Sequence, residues 1–118
     1  MAILIVDDSA SMRQAVRIAL EGGGYDIVEA ADGKQALAKC TQKFQAVVLD
    51  KNMPVMDGFT FLKQFKATPQ GRFTPVLMLT TESRQEDKME GKKLGLTGWI
   101  VKPVKGNVLL ATIKKIAK

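Results

Sequence analysis

Five short apolar runs alternate with stretches of helical periodicity, and that alternation limits the fold more than any other feature of the chain. AILIV (2–6), AVVL (46–49) and PVLML (75–79) are unbroken apolar runs of strand length, as expected for strands covered on both faces. YDIVEA (25–30) carries Asp26 and Glu29, which suits an edge strand, and GWIVK (98–102) is the fifth run. Between the runs, Met12, Ala15, Val16, Ala19 and Leu20 recur at helical spacing. So do Ala36, Leu37 and Cys40, then Phe59, Leu62 and Phe65, and finally Leu109, Thr112, Ile113 and Ile116. The segment 82–94 is strongly polar, with Met89 and Leu94 as its large apolar anchors, and predicts a weakly held helix. Gly22-Gly23-Gly24 ends the first helix, Asp57-Gly58 opens the third, and Pro69-Gln70-Gly71 closes it. Five strand–helix repeats predict one α/β domain over residues 1–118, a doubly wound parallel sheet with helices on both sides.

Composition narrows the chemistry. A chain of 118 residues can bury roughly two-thirds of its unfolded surface without a disulfide or metal staple. Cys40 is the sole cysteine and histidine is absent, which excludes Ser–His–Asp and Cys–His catalysis, zinc sites built on His or several Cys, and histidine proton relays. No apolar run approaches the length of a membrane span, and the start MAILIVDDSA lacks the basic n-region of a signal peptide. The expectation is a soluble, cytoplasmic protein.

The net charge is +6, unevenly spread. Residues 1–59 hold 6 basic and 8 acidic residues, residues 60–118 hold 12 and 4, and from Lys92 onward there are seven Lys and no acid. Such a surface fits an acidic partner, nucleic acid or a solvated lysine-rich helix face. Trp99 is the one aromatic among these lysines, short of the interleaved series a base-stacking platform requires, so direct nucleic-acid binding is not expected.

The residues that end the runs carry the chemistry. Asp7 and Asp8 follow the first, Asp50 the third, Thr80 the fourth and Lys102 the fifth. The carboxyl ends of parallel strands share one edge of the sheet, where ligands of open α/β folds bind, so these side chains are expected to converge on one cleft. The second run ends in Ala30 and supplies no polar group, as expected of an edge strand away from that cleft. Carboxylates crowded together repel unless a cation is present. Mg2+ takes oxygen ligands from one or two carboxylates, waters and a phosphate oxygen. Asp8 and Asp50 can supply the carboxylates and a loop carbonyl near Asn52 a third oxygen, while Thr80 and Lys102 suit the oxygens of a phosphoryl group. Taken singly, each has an ordinary alternative: an Asp pair after a strand as a helix N-cap, Asp50 as a turn residue, Thr80 and Lys102 as strand ends. Their joint placement is what points to a site.

VDDS (6–9), LDKNMPVMDG (49–58), MLTTE (78–82) and GWIVKP (98–103) resemble, in order and spacing, the receiver domains of two-component response regulators. The resemblance covers the whole chain, and DxNMPxMDG with GWIVKP is most similar to the stand-alone chemotaxis regulators of that family. It implies a (βα)5 flavodoxin-like fold, also called CheY-like, with strand order 2-1-3-4-5 and a cis Lys102–Pro103 bond. It implies that Asp50 is the phosphoacceptor, that Asp8, Asp50 and the Asn52 carbonyl bind Mg2+, and that Asp7 acts through a metal-bound water. Thr80 and Lys102 would contact the phosphoryl group, Trp99 stands at the switch aromatic, and Asn52 with Glu82 would govern autodephosphorylation.

The implied partners are a histidine kinase as phosphodonor and a downstream target, the flagellar motor switch by likeness to the chemotaxis members, reached by a shift of the 82–103 region. A phosphorelay intermediate or a regulator in another kinase pathway is the alternative. The expectation is a monomeric receiver without an output domain, a switch that assists its own phosphorylation and not an enzyme on other substrates. Lys51 after the acceptor, Val104 after Pro103 and the positive net charge depart from the chemotaxis pattern. An aspartyl phosphatase of the haloacid dehalogenase type would carry an acid where Asn52 stands. A flavodoxin would carry a Ser/Thr/Gly-rich phosphate loop where DDSAS stands.

Overall fold

A computed structural model describes residues 2–53, 55–81 and 84–117. Ten elements alternate strictly: β1 (Ala2–Val6), α1 (Ala10–Glu21), β2 (Asp26–Ala30), α2 (Gly33–Ala38), β3 (Phe44–Asp50), α3 (Gly58–Lys66), β4 (Val76–Thr80), α4 (Gln85–Lys93), β5 (Gly98–Val101) and α5 (Gly106–Ile116). All pairings are parallel and the order is β2-β1-β3-β4-β5. The predicted fold class and strand order are those observed.

The three apolar runs that lacked alternation are the three central strands. Side chains alternate across a strand, so each of these must fill two cores. Leu4, Val6, Val47, Leu49, Val76 and Met78 join one cluster, which Phe61, Leu62 and Phe65 of α3 cover. Ile3, Ile5, Ala46, Val48, Leu77 and Leu79 join the other, under Val16 and Leu20 of α1 and Leu109 and Ile113 of α5. Strand β2 lies at the edge with Asp26 exposed, as its charges required.

Caps fix three of the helix starts. Ser9, Asp32 and Asp57 accept from the backbone N–H groups of Met12, Gln35 and Thr60, so the residue capping α1 is Ser9 and neither carboxylate before it. Helix α2 ends at Ala38, and Cys40 sits in the following turn, donating to the Ala36 carbonyl at 3.1 Å. Burial pushes its thiol up to about 11, which leaves it unreactive at neutral pH.

Helix α4 has no side-chain cap and one buried residue, and it is seated differently from the way its sequence suggested. Residues 82 and 83, where its predicted range began, lie outside the described residues. Arg84 gives it no side-chain cap, and Met89, the expected anchor, is 58% exposed. The helix is seated instead by Gly91, its buried residue: a Cβ there would lie 2.8 Å from Leu96 Cδ2 and 3.5 Å from the Phe59 ring. Leu94 packs on the core beyond it as expected.

Candidate functional site

The carboxyl edge of the sheet gathers the side chains that its strand ends supply. Asp7 and Asp50 are 3% and 4% exposed, Thr80 is fully buried, and Asp8 is exposed. One carboxylate oxygen from each of Asp7, Asp8 and Asp50 lies within 4.8 Å of the other two. Lys102 reaches in from the end of β5, its Nζ 3.1 Å from Asp50 Oδ1 and 3.8 Å from Asp7 Oδ2. The Lys102–Pro103 peptide is cis.

Backbone bonds hold these ends in place. The N–H groups of Asp7, Lys51 and Lys102 donate to the carbonyls of Ala30, Leu79 and Thr80, each on the neighbouring strand. Strand β2, expected to contribute nothing, thus fixes Asp7 through the carbonyl of Ala30. The loop after β3 folds back so closely that a Cβ at Gly58 would lie 2.7 Å from the Asp50 carbonyl oxygen and 2.9 Å from Lys51 Cα. Only a glycine lets α3 begin there.

Electrostatics set the demand of the cleft. Burial raises the pKa of Asp7, the charges of Asp50 and Asp8 push it further, and the Ser9 N–H and Lys102 pull it back. Burial likewise raises that of Asp50, against a hydrogen bond and charge from Lys102 and the backbone N–H of Asn52, while Asp8 adds to the rise. Two buried carboxylates and an exposed third, answered by one ammonium, form a donor set that fits a hard divalent cation: clustered oxygens, with Asp8 at the solvent side where waters can complete an octahedron.

Of the remaining expected site residues, two lie among the described residues. Asn52 is exposed just beyond Asp50. Glu82 lies outside the described residues. Trp99 is half-buried on β5, opposite Met78 in register, and its indole Nε1 is buried with no hydrogen-bond partner. Thr80 follows Met78 by two residues, so Thr80 and Trp99 stand on the same face of the sheet.

Four contacts were not legible in the sequence. Lys51 Nζ pairs with Asp87 Oδ2 of α4 at 2.7 Å and lies over the Phe59 ring. Arg13 donates to the Asp7 carbonyl at 2.7 Å, and Glu29 on β2 holds that arginine. None follows a helical or strand repeat, so spacing gave no sign of them.

Comparison with known proteins identifies this arrangement. The sequence matches the response regulator receiver domain family over residues 3–114. The chain is a response regulator receiver domain. It is 40% identical to chemotaxis protein CheY-3 of Vibrio cholerae over 118 residues, 98% of this chain and 91% of that protein. It is 37% identical to the alkaline phosphatase synthesis transcriptional regulatory protein PhoP of Bacillus subtilis over 117 residues, and there it spans 48% of the relative's length. The crystallised chemotaxis protein CheY4 of Vibrio cholerae superposes with a TM-score of 0.94 at 49% identity, covering 98% of each chain. Receiver domains are phosphorylation switches of two-component signalling, not enzymes acting on other substrates, and they bind Mg2+ at an acidic pocket such as Asp7, Asp8 and Asp50 form. Among the described residues of this receiver, no helix is long and apolar enough to cross a membrane.

Proposed function

We propose that Asp50 accepts a phosphoryl group from a phosphohistidine on a partner histidine kinase, and that the modified receiver binds a downstream target. The observation carrying this reading is the buried Asp50 carboxylate, 3.1 Å from Lys102 Nζ and clustered with Asp7 and Asp8. A carboxylate oxygen of Asp50 attacks phosphorus, the phosphorus–nitrogen bond breaks, and its electron pair stays on the departing imidazole. The chain has no histidine, so that imidazole belongs to the donor. Lys102 stabilises charge on the transferring oxygens and holds Asp50 oriented toward them. Asp8, Asp50 and the Asn52 carbonyl would hold Mg2+, with Asp7 acting through a bound water; the ion, when bound, supplies further neutralisation of the phosphoryl oxygens.

In the modified state the Thr80 hydroxyl donates to a phosphoryl oxygen, and Trp99, on the same sheet face, fills the space it leaves. Helix α4, seated on a glycine contact, is the element such a change can move. Asn52 orients the water that later hydrolyses the acyl phosphate, a role the sequence pattern gives it together with Glu82. The target meets the face of α4, β5 and α5. A groove of about 190 Å3 there is lined by Lys88, Lys92 and Trp99, which suits an acidic segment.

Likeness to CheY-3 and CheY4 supports the flagellar motor switch as that target. A similar identity to PhoP supports the second reading, a receiver or relay in another kinase pathway. Phosphorylation-dependent binding to a flagellar switch peptide separates the two. The acceptor itself is tested by incubating the protein with Mg2+ and a small acyl phosphate: mass spectrometry should detect one added phosphoryl group, absent from Asp50→Asn. Equal labelling of that variant overturns the assignment.

A further inference from the structure

We infer that Arg13 is the positioning residue of the metal-binding turn, holding Asp7 and Asp8 in the geometry that selects Mg2+; the inference rests on the proposed metal site. Asp7 is held at its N–H, its carbonyl and one carboxylate oxygen. Its N–H donates to the Ala30 carbonyl at 3.1 Å, its Oδ1 accepts from the Ser9 N–H at 2.9 Å, and its carbonyl accepts from Arg13 Nη1 at 2.7 Å. That carbonyl belongs to the peptide joining Asp7 to Asp8. Whatever fixes its plane restrains Asp7 ψ and Asp8 φ, two of the torsions that set where both carboxylates leave the chain.

The arginine reaches the backbone and not the carboxylates, so it orients the ligands and leaves their charge for a metal. It is itself braced. Arg13 Nε donates to Glu29 Oε1 at 3.1 Å, and Arg17 Nε holds Oε2 of the same glutamate at 2.6 Å. Arg17 is tied in turn to Glu21 at 3.0 Å. Glu29 sits opposite Ile5 of β1 in the β1–β2 register, two residues before Asp7, which follows that strand. The chain of contacts therefore runs from Glu29 on an edge strand, which Arg17 also holds, through Arg13 of α1 to the peptide between the acids. The side chains of Arg13 and Glu29 are 18% and 28% exposed, enough cover for a charge-assisted bond to orient a peptide. A lysine ammonium lacks the rigid planar fork that holds a carboxylate and a carbonyl in fixed directions.

Partners that orient metal ligands from outside the coordination sphere are worth roughly 10–100-fold in affinity. Mg2+ demands near-octahedral ligands, whereas Ca2+ tolerates a distorted set. Loosening the turn should therefore penalise Mg2+ more than Ca2+. Isothermal titration of the full chain with each ion at pH 7 reads both. Arg13→Met is expected to bind Mg2+ about tenfold more weakly, with the Mg2+/Ca2+ affinity ratio lowered. Arg13→Lys should recover only part of this, and Glu29→Gln should fall between wild type and Arg13→Met. Urea unfolding in chelator separates loss of stability from loss of ligand geometry. If the variants are less stable but keep the wild-type Mg2+ affinity and ion ratio, the role is structural and the inference fails. Should Arg13→Met not fold, the lysine and glutamine variants decide by the same criterion. If wild type itself binds no Mg2+ while Asp50 still takes up phosphate, the metal site is wrong and the inference falls with it.

Discussion

Replacing Asp50 by asparagine should make the metal-free protein more stable at neutral pH. The carboxylate oxygens of Asp7, Asp8 and Asp50 lie within 4.8 Å of one another. At that separation and an effective dielectric constant near 20, each pair repels by roughly 3.5 kcal/mol, so Asp50 carries about 7 kcal/mol of repulsion. Its contact with Lys102 at 3.1 Å returns roughly 5 kcal/mol on the same scale. The balance is unfavourable before burial is counted, and screening by the exposed side of the cluster brings the expected gain to about 1–2 kcal/mol, or roughly 4–10 °C in Tm. Asparagine keeps the shape and an oxygen that accepts from Lys102. The sign with pH follows from the direction of the shifts. Asp50 and Asp7 both have raised pKa values, so the folded state holds their protons more tightly than the unfolded chain. Their contribution is fully present below the ordinary carboxylate range near 3.9 and is lost as pH rises through the raised folded values. The advantage of Asp50→Asn should accordingly be large at pH 7 and vanish near pH 3.5, measured by urea unfolding of both proteins in chelator. Saturating Mg2+ should stabilise wild type more than the variant and narrow the gap. A variant no more stable at pH 7, or one whose gain is the same at both pH values, would refute the electrostatic account of the cleft.

Two further outcomes follow from contacts around the cleft. Lys51→Met removes a largely buried pair with Asp87, worth about 1 kcal/mol, and should speed amide exchange across 85–93 roughly fivefold while leaving β1 unchanged; unaltered α4 exchange would show that the pair does not hold the helix. Val55 stands in the left-handed region at φ 67, unfavourable for a β-branched side chain, and is 77% exposed, so Val55→Asn should raise stability by about 1 kcal/mol in urea unfolding; no gain would mean the loop carries no strain there.

Asp7, Asp50, Thr80 and Lys102 were legible in the sequence because a parallel sheet turns a linear rule into a spatial one. A polar residue that closes an apolar run stands at the carboxyl edge, and four such endings must meet. Arg13, Glu29 and Lys51 followed no such rule. Their partners are 6, 16 and 36 residues away, and nothing in a one-dimensional pattern separates a bridging arginine from a solvated one. Met89 misled for a related reason: helical spacing marks a face, yet which side of α4 meets the protein is decided by the close approach at Gly91, a residue without a side chain. The charge of the whole chain misleads more deeply. The protein is basic by six, while its cleft sets three carboxylates around one ammonium, the opposite local sign. The lysines that set the global sign lie elsewhere, with Lys88, Lys92 and Lys93 on α4 and Lys114 and Lys115 on α5. On the proposed function, an anionic phosphoryl donor would meet an acidic cleft in a basic protein, and the groups that would draw it in are Lys102 and any metal the three acids hold, not the field of the whole molecule.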